Sequence, residues 1–189
     1  MVSAVQSQGQ CDAGYAFCST SLGESYLLFQ KKQQTLSNQQ IIDCAGDYTT
    51  MGCSGGSRSG TLQFMQEKGV VYDAQYPFTG KQGTCQKTTF DFQLTKDLTE
   101  SNGCTDIQNA LTKSPLTVAV NINGWQFYKS GIYTNCFDNV QHDIFLVGVT
   151  QTYWRLKNSW GNRWGEYGYI RIGPGNTCGV CEKPAYGFK

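Results

Sequence analysis

Apolar residues in the first half of the chain recur at helical spacing. Tyr15, Cys18, Leu22, Tyr26 and Phe29 stand three or four positions apart, which predicts a helix whose apolar stripe faces a core. Asp12 precedes the stripe as its N-cap, so Gly14 falls in the first turn, where free N–H groups and the positive end of the helix dipole converge. In Leu36-Ser37-Asn38-Gln39-Gln40-Ile41, Ser37 and Gln40 form a capping box and Leu36 and Ile41 a hydrophobic staple, predicting a second helix from Ser37 through Cys44. Gly52-Cys53-Ser54-Gly55-Gly56 reads as a turn, and a third helix carries Leu62, Phe64 and Met65 and stops near Gly69. From Tyr76 to Leu98 the pattern is loop-like apart from Cys85, and a short helix follows Thr105 and ends before Pro115.

Beyond Pro115 the period shortens. Leu116 to Ile122, Gly131 to Tyr133, Asp143 to Val149, Tyr153 to Lys157 and Tyr167 to Ile172 are short β-branched or aromatic runs separated by Gly, Asn and Gln, which predicts strands. A helical first half, residues 1–100, followed by a β-rich second half, residues 101–189, makes an α+β chain. At 189 residues with 39% apolar content, it can bury a full core as one domain or two half-size lobes.

Charge and cysteine content narrow the function. A net charge of +1 without a clustered basic surface argues against nucleic-acid and anionic-membrane partners. No apolar run reaches the length needed to span a bilayer, and Met1 opens on no signal-peptide pattern. Nine cysteines point to an oxidising compartment, and their odd number leaves at least one outside any intrachain bridge. Cys178 and Cys181 are the one C-x-x-C pair and His142 the one histidine, so zinc is a poor reading and neither metal nor cofactor is expected.

The candidate chemistry lies in two stretches. Gln8 to Thr20 reads QGQCDAGYAFCST, and farther on VQHD places His142 128 residues after Gly14 and KNSWGNRWGEYGYIRI places Asn158 144 residues after it. These motifs resemble the papain and cathepsin L cysteine peptidases, whose local signature C-G-[SA]-C-[WY] aligns with Cys11-Asp12-Ala13-Gly14-Tyr15. The nucleophile position holds glycine.

The resemblance implies a papain-like fold: an N-terminal helical lobe packed against a C-terminal antiparallel β-barrel lobe, with a cleft between them. It also implies that Met1 is preceded by further mature sequence and a propeptide. It assigns His142 as acid/base, Asn158 as its orienter, Trp160 as the indole shielding that pair, Gln8 as oxyanion donor and Gly14 as the vacated nucleophile slot. Along the substrate groove it places Gly55 and Gly56, whose backbone pairs with an extended peptide, and Arg58 and Asp143, with Asp143 able to pair with Arg58 or Lys183. It pairs Cys11 with Cys53, Cys44 with Cys85 and Cys136 with Cys178. Cys18 reads as a buried core thiol, while Cys104 and Cys181 are left to pair with each other, bridge to another chain or stay reduced.

The expected function is therefore that of an inactive papain-like protein, extracellular, lysosomal or vacuolar, or embedded in a matrix, that works by binding a peptide or protein or by assembling with itself or a paralogue. QGQC, LSNQQIIDC and YPFTGKQGTC are also similar to silicateins, which adds silica as a partner and a biosilica filament as a setting. The alternatives are an active cysteine endopeptidase, if Gly14 replaces a native cysteine, and a silica-condensing silicatein relative.

Overall fold

The structure, a computed structural model, describes residues 1–86, 90–136 and 139–189. The chain forms two compact units: residues 1–3 with 8–95, and residues 4–7 with 96–189. Strand β1 (Leu98–Ser101) thus falls in the second unit, although the pattern read from sequence divides the halves near residue 100.

The first unit is helical. Helix α1 spans Gly14–Phe29 and is capped by Ala13, which offers no side-chain bond. Asp12 is not the cap: its N–H donates to Cys53 O at 3.0 Å, drawing it into a bridge with Ser54. The predicted stripe is also too narrow. Residues 14–25 are buried on every side of the helix, whereas Phe29 is 77% exposed and Tyr26 half-buried, so α1 runs through the core and only its end emerges. Gly23 permits this depth, because an added Cβ would lie 2.8 Å from Leu36 Cδ1 and 2.9 Å from Met65 Cε.

Helix α2 spans Asn38–Cys44, and Ser37 Oγ accepts from Gln40 N at 3.0 Å, half of the predicted capping box. The other half is replaced by tertiary bonds: Gln40 Oε1 accepts from Val71 N at 2.7 Å, and Ser37 N donates to Val71 O at 2.9 Å. Helix α3 (Arg58–Glu67) is capped by Ser57 and ends as expected, with Gly69 at φ +76° donating to Phe64 O.

The stretch from Tyr76 onward is tied down at several points, its residues 87–89 lying outside the described ones. Asp43 accepts from Gly83 N and from the Tyr76 hydroxyl, and Gln39 bonds both Thr79 and Lys81. Val70 N donates to Phe92 O at 2.7 Å. Tyr76 is pushed up by burial and by its hydrogen bond to Asp43.

The second unit holds helix α4 (Gly103–Leu111) and strands β2 (Leu116–Val120), β3 (Ile132–Tyr133), β4 (His142–Val149), β5 (Trp154–Lys157), β6 (Tyr169–Ile172) and β7 (Ala185–Phe188), besides β1. The sheet order is β1-β7-β2-β4-β5-β6-β3. This corrects the expected antiparallel barrel: among the described residues the two end strands do not pair with each other, so the sheet stays open, and β3 runs parallel to β6. Strands β1 and β7 pair over Leu98↔Phe188 to Ser101↔Ala185 and went unpredicted, because neither run shows sustained alternation. Trp125, Trp154, Leu116, Val118, Leu146, Leu156 and Ile170 are fully buried in this unit's core.

Four disulfides form. Cys11–Cys53, Cys44–Cys85 and Cys136–Cys178 are the pairs the resemblance implies, and Cys104–Cys181, with Cα atoms 5.1 Å apart, closes the alternative left open. Cys18 lies outside all four bridges, buried on α1, with its Sγ on Tyr15 O. Among the described residues no helix is long and apolar enough to cross a membrane, and no cluster of His, Cys, Asp or Glu could hold a metal ion.

Candidate active site

The residues singled out from sequence divide between the two units: Gln8, Gly14, Gly55, Gly56 and Arg58 in the first, His142, Asp143, Asn158 and Trp160 in the second.

In the first unit, Gln8-Gly9-Gln10-Cys11 closes as a β-turn, with Cys11 N donating to Gln8 O at 3.1 Å. Gly9 supplies the positive φ, +57°, that its first central position demands. The buried Gln8 amide donates back to Cys11 O at 2.9 Å, while the Cys11–Cys53 disulfide fixes the end of the turn. Ala13 N donates to the same carbonyl, and the next residue, Gly14, opens α1. Gln8 and the helix start are therefore held by one shared peptide group. Gly14 and Tyr15, as the first residues of a helix without a side-chain cap, carry N–H groups that no helical carbonyl can reach.

Tyr15 fixes the next piece. Its ring is 1% exposed, its hydroxyl donates to Gly52 O at 2.8 Å, and burial pushes it up to about 12. Gly56 lies against the ring face: an added Cβ would stand 2.8 to 2.9 Å from three ring carbons. Sequence reading missed this contact, because it joins residues 41 positions apart.

Gly56 also pairs with Thr50 in an isolated antiparallel bridge, made by Ser57 N to Thr49 O at 3.1 Å and Met51 N to Gly55 O at 2.8 Å. The neighbours make both bonds, so Gly56 occupies the non-hydrogen-bonded position, and its own N–H and C=O face away from Thr50. Gly55 reaches φ +103°, which side chains rarely adopt. Arg58 is buried as the first residue of α3, at the helix end whose dipole disfavours a cation.

In the second unit, His142 opens β4 and pairs with Val120 of β2, Asp143 pairing with Ala119 beside it. His142 Nε2 lies 3.0 Å from Asn158 Oδ1, and that oxygen also accepts from Ser159 N at 2.9 Å. The second bond fixes the amide's orientation, which assigns the proton to Nε2 facing Oδ1; in the neutral ring Nδ1 is then the acceptor. Asn158 Nδ2 is buried without a hydrogen-bond partner among the described residues, since rotating the amide would set Nδ2 against the Ser159 N–H.

The Trp160 ring centroid lies 5.5 Å from that of His142. Trp164 packs edge-to-face on Trp160 and stacks on the buried Trp125. Gln6 O accepts from Gly161 N at 3.0 Å, securing the loop that presents Trp160. The imidazole is thus oriented by an amide and flanked by an indole, an arrangement suited to proton transfer at Nδ1.

The profile of the papain family cysteine proteases matches residues 1–188. Among curated proteins, the chain is 36% identical over 187 residues to cathepsin L 2 of Paramecium tetraurelia, covering 97% of this chain and 59% of that protein. It is 34% identical over 196 residues to a cathepsin L-like proteinase of Fasciola hepatica, covering 96% and 60%. The chain therefore spans about three-fifths of the length of these relatives. Among solved structures, bromelain from Ananas comosus in complex with the E64 inhibitor matches with a TM-score of 0.89 at 32% identity, over 100% of this chain and 94% of that one. The proform of the ragweed pollen cysteine protease Amb a 11 matches with a TM-score of 0.89 at 30% identity, over 99% and 61%. From the QGQC turn through the His142–Asn158 pair to the last strand, the chain belongs to the papain family of cysteine proteases.

Proposed function

We propose that this chain binds extended peptides without cleaving them: a papain-family protein in which the position of the attacking thiol is occupied by Gly14. One observation carries the reading. Helix α1 opens on a residue with no side chain, while His142, Asn158 and Trp160 keep an arrangement suited to proton transfer. In the family's chemistry a thiolate attacks the peptide carbonyl and the imidazole serves it. Removing the nucleophile from a comparable triad costs on the order of a million-fold in turnover, leaving what binding and oxyanion donors contribute. Cys11 is held in a disulfide and Cys18 is buried on α1, so neither supplies a substitute thiol.

Support for peptide binding comes from Gly56, whose outward N–H and C=O match an added strand. Four disulfides suit an extracellular, lysosomal or vacuolar setting. The test uses a fluorogenic peptide under reducing conditions at mildly acidic pH, together with covalent labelling by a cysteine-directed epoxide. The chain is expected to show neither turnover above background nor labelling, and Gly14→Cys to gain both. Native turnover at enzymatic speed overturns the proposal.

A further inference from the structure

Two disulfides of the second unit end on the same turn. Cys178 is bridged to Cys136 and Cys181 to Cys104, and the two inner cysteines are the chain's one C-x-x-C pair. The turn is tight: Gly179 N donates to Asn176 O at 3.0 Å, Val180 N to Thr177 O at 3.4 Å and Glu182 N to Gly179 O at 2.9 Å. These bonds close turns on either side of the pair, at 176–179, 177–180 and 179–182, and Cys181 N donates to Asn176 Oδ1 at 2.8 Å, so the chain carrying the two cysteines is folded back on itself. C-x-x-C is also the spacing of redox-active disulfides, which makes Cys178–Cys181 the candidate third bridge. Cys178 is moreover held at φ +57°, a left-handed conformation that disfavours a residue bearing a Cβ.

Access is unequal. Cys178 is 3% exposed, whereas Cys104, Cys136 and Cys181 are half-buried. Cys104 sits in the first turn of α4, where the positive end of the helix dipole favours its departure as a thiolate and Asp106 in the same turn opposes it.

The turn also touches the strand end that carries the histidine. Asn121 N donates to Cys178 O at 2.8 Å, and Asn121 Nδ2 donates to Asn139 O at 2.8 Å. The preceding residue, Val120, pairs with His142 and accepts from Gln141 N at 3.1 Å.

We propose that the Cys178/Cys181 turn is a thiol-exchange switch, in which opening Cys104–Cys181 sends Cys181 onto Cys178, and loss of Cys136–Cys178 releases the strand end that places His142. The co-reactant is a small monothiol of the glutathione class. Its thiolate attacks Cys181 Sγ and Cys104 leaves as a thiolate. A second thiolate attacks the small-molecule sulfur of the mixed disulfide, forming the oxidised small disulfide and freeing Cys181. The Cys181 thiolate then attacks Cys178 Sγ, the Cys178–Cys181 bond forms, the Cys136–Cys178 bond breaks, and Cys136 leaves as a thiolate. In sum, two protein disulfides and two small thiols become one protein disulfide, two protein thiols and one small disulfide. The switch stands independently of the peptide-binding reading.

The experiment incubates the native chain in graded glutathione buffers, quenches with acid and an alkylating agent, and maps bridges by mass spectrometry. The imidazole resonance is followed by NMR in parallel, and with a single histidine in the chain its assignment is unambiguous. The expected result is a Cys178–Cys181 bridge with alkylated Cys104 and Cys136, and a second His142 resonance of matching fraction. In Cys104→Ser/Cys181→Ser the internal attacker is gone, and Cys136–Cys178 should persist at least about tenfold longer. The proposal is overturned if Cys104–Cys181 opens while Cys136–Cys178 stays intact, if the His142 resonance does not follow the exchange, or if the double variant loses Cys136–Cys178 as fast as the native chain. Should that variant not fold, bridge mapping and NMR on the native chain decide alone.

Discussion

Replacing Gly56 by alanine sets one methyl group against one aromatic face. The added Cβ stands 2.8 Å from Tyr15 Cε2 and 2.9 Å from Cδ2 and Cε1. Carbon pairs are comfortable at about 3.5–4.0 Å, so relief requires a shift of roughly 1 Å. The ring has little room to give it: Tyr15 is 1% exposed and its hydroxyl is anchored on Gly52 O at 2.8 Å.

Overpacking of this kind costs about 1–3 kcal/mol, and losing the anchoring bond adds about 1 kcal/mol. Against this, Gly56 lies outside the left-handed region, so alanine also gains about 0.4–1 kcal/mol by restricting the unfolded chain. The net destabilisation is about 1–3 kcal/mol, or roughly 3–10 °C in Tm for a chain of this size. Urea unfolding followed by fluorescence measures it. A second background, Tyr15→Leu, removes the ring face, and there Gly56→Ala should cost nothing, giving a coupling energy of about 2 kcal/mol. An unchanged stability for Gly56→Ala, or an equal cost in both backgrounds, refutes the reasoning.

Gly60→Ala is expected to abolish folding of the first unit, because the new Cβ falls 1.8 Å from the Tyr48 backbone oxygen, and circular dichroism of the soluble fraction reads this directly. Asn158→Ala leaves the His142 Nε2–H and the Ser159 N–H without their shared acceptor, which should cost about 2–3 kcal/mol in urea unfolding and broaden the single imidazole resonance. Glu166 is held down at about 2 chiefly by its bond to Arg171, so the fold favours the carboxylate. Its contribution, about 1–2 kcal/mol after solvent screening, is fully present above the ordinary glutamate range and lost as pH falls from about 5 towards 2. Glu166→Gln should flatten that part of the stability profile, and an unchanged acid limb counts against the pairing.

Local rules carried the reading of sequence a long way. Ser37 caps α2, α3 stops near Gly69, five of the seven strands lie within or beside the predicted runs, and His142 and Asn158, marked by their motifs, meet at 3.0 Å. Each of these depends on residues a few positions apart or on one dense motif, so the information is contiguous in the chain. Strands β1 and β7 were missed because their stability comes from pairing with each other across 90 positions, Leu98 with Phe188, and not from their own alternation. Asp12 failed as a cap for the same reason, since a bond to Cys53 took its backbone elsewhere.

The amino-acid order by itself thus determined the family, the four helices and five of the seven strands, and the absence of a side chain at position 14. Only the tertiary structure decided that the sheet stays open, that Cys104 meets Cys181, that Gly56 must be bare to admit the Tyr15 ring, and that Asn158 takes its bonds through one oxygen. Those outcomes are set by close contacts between segments far apart in sequence, where a few tenths of an ångström separate attraction from overlap, and no spacing along the chain encodes them.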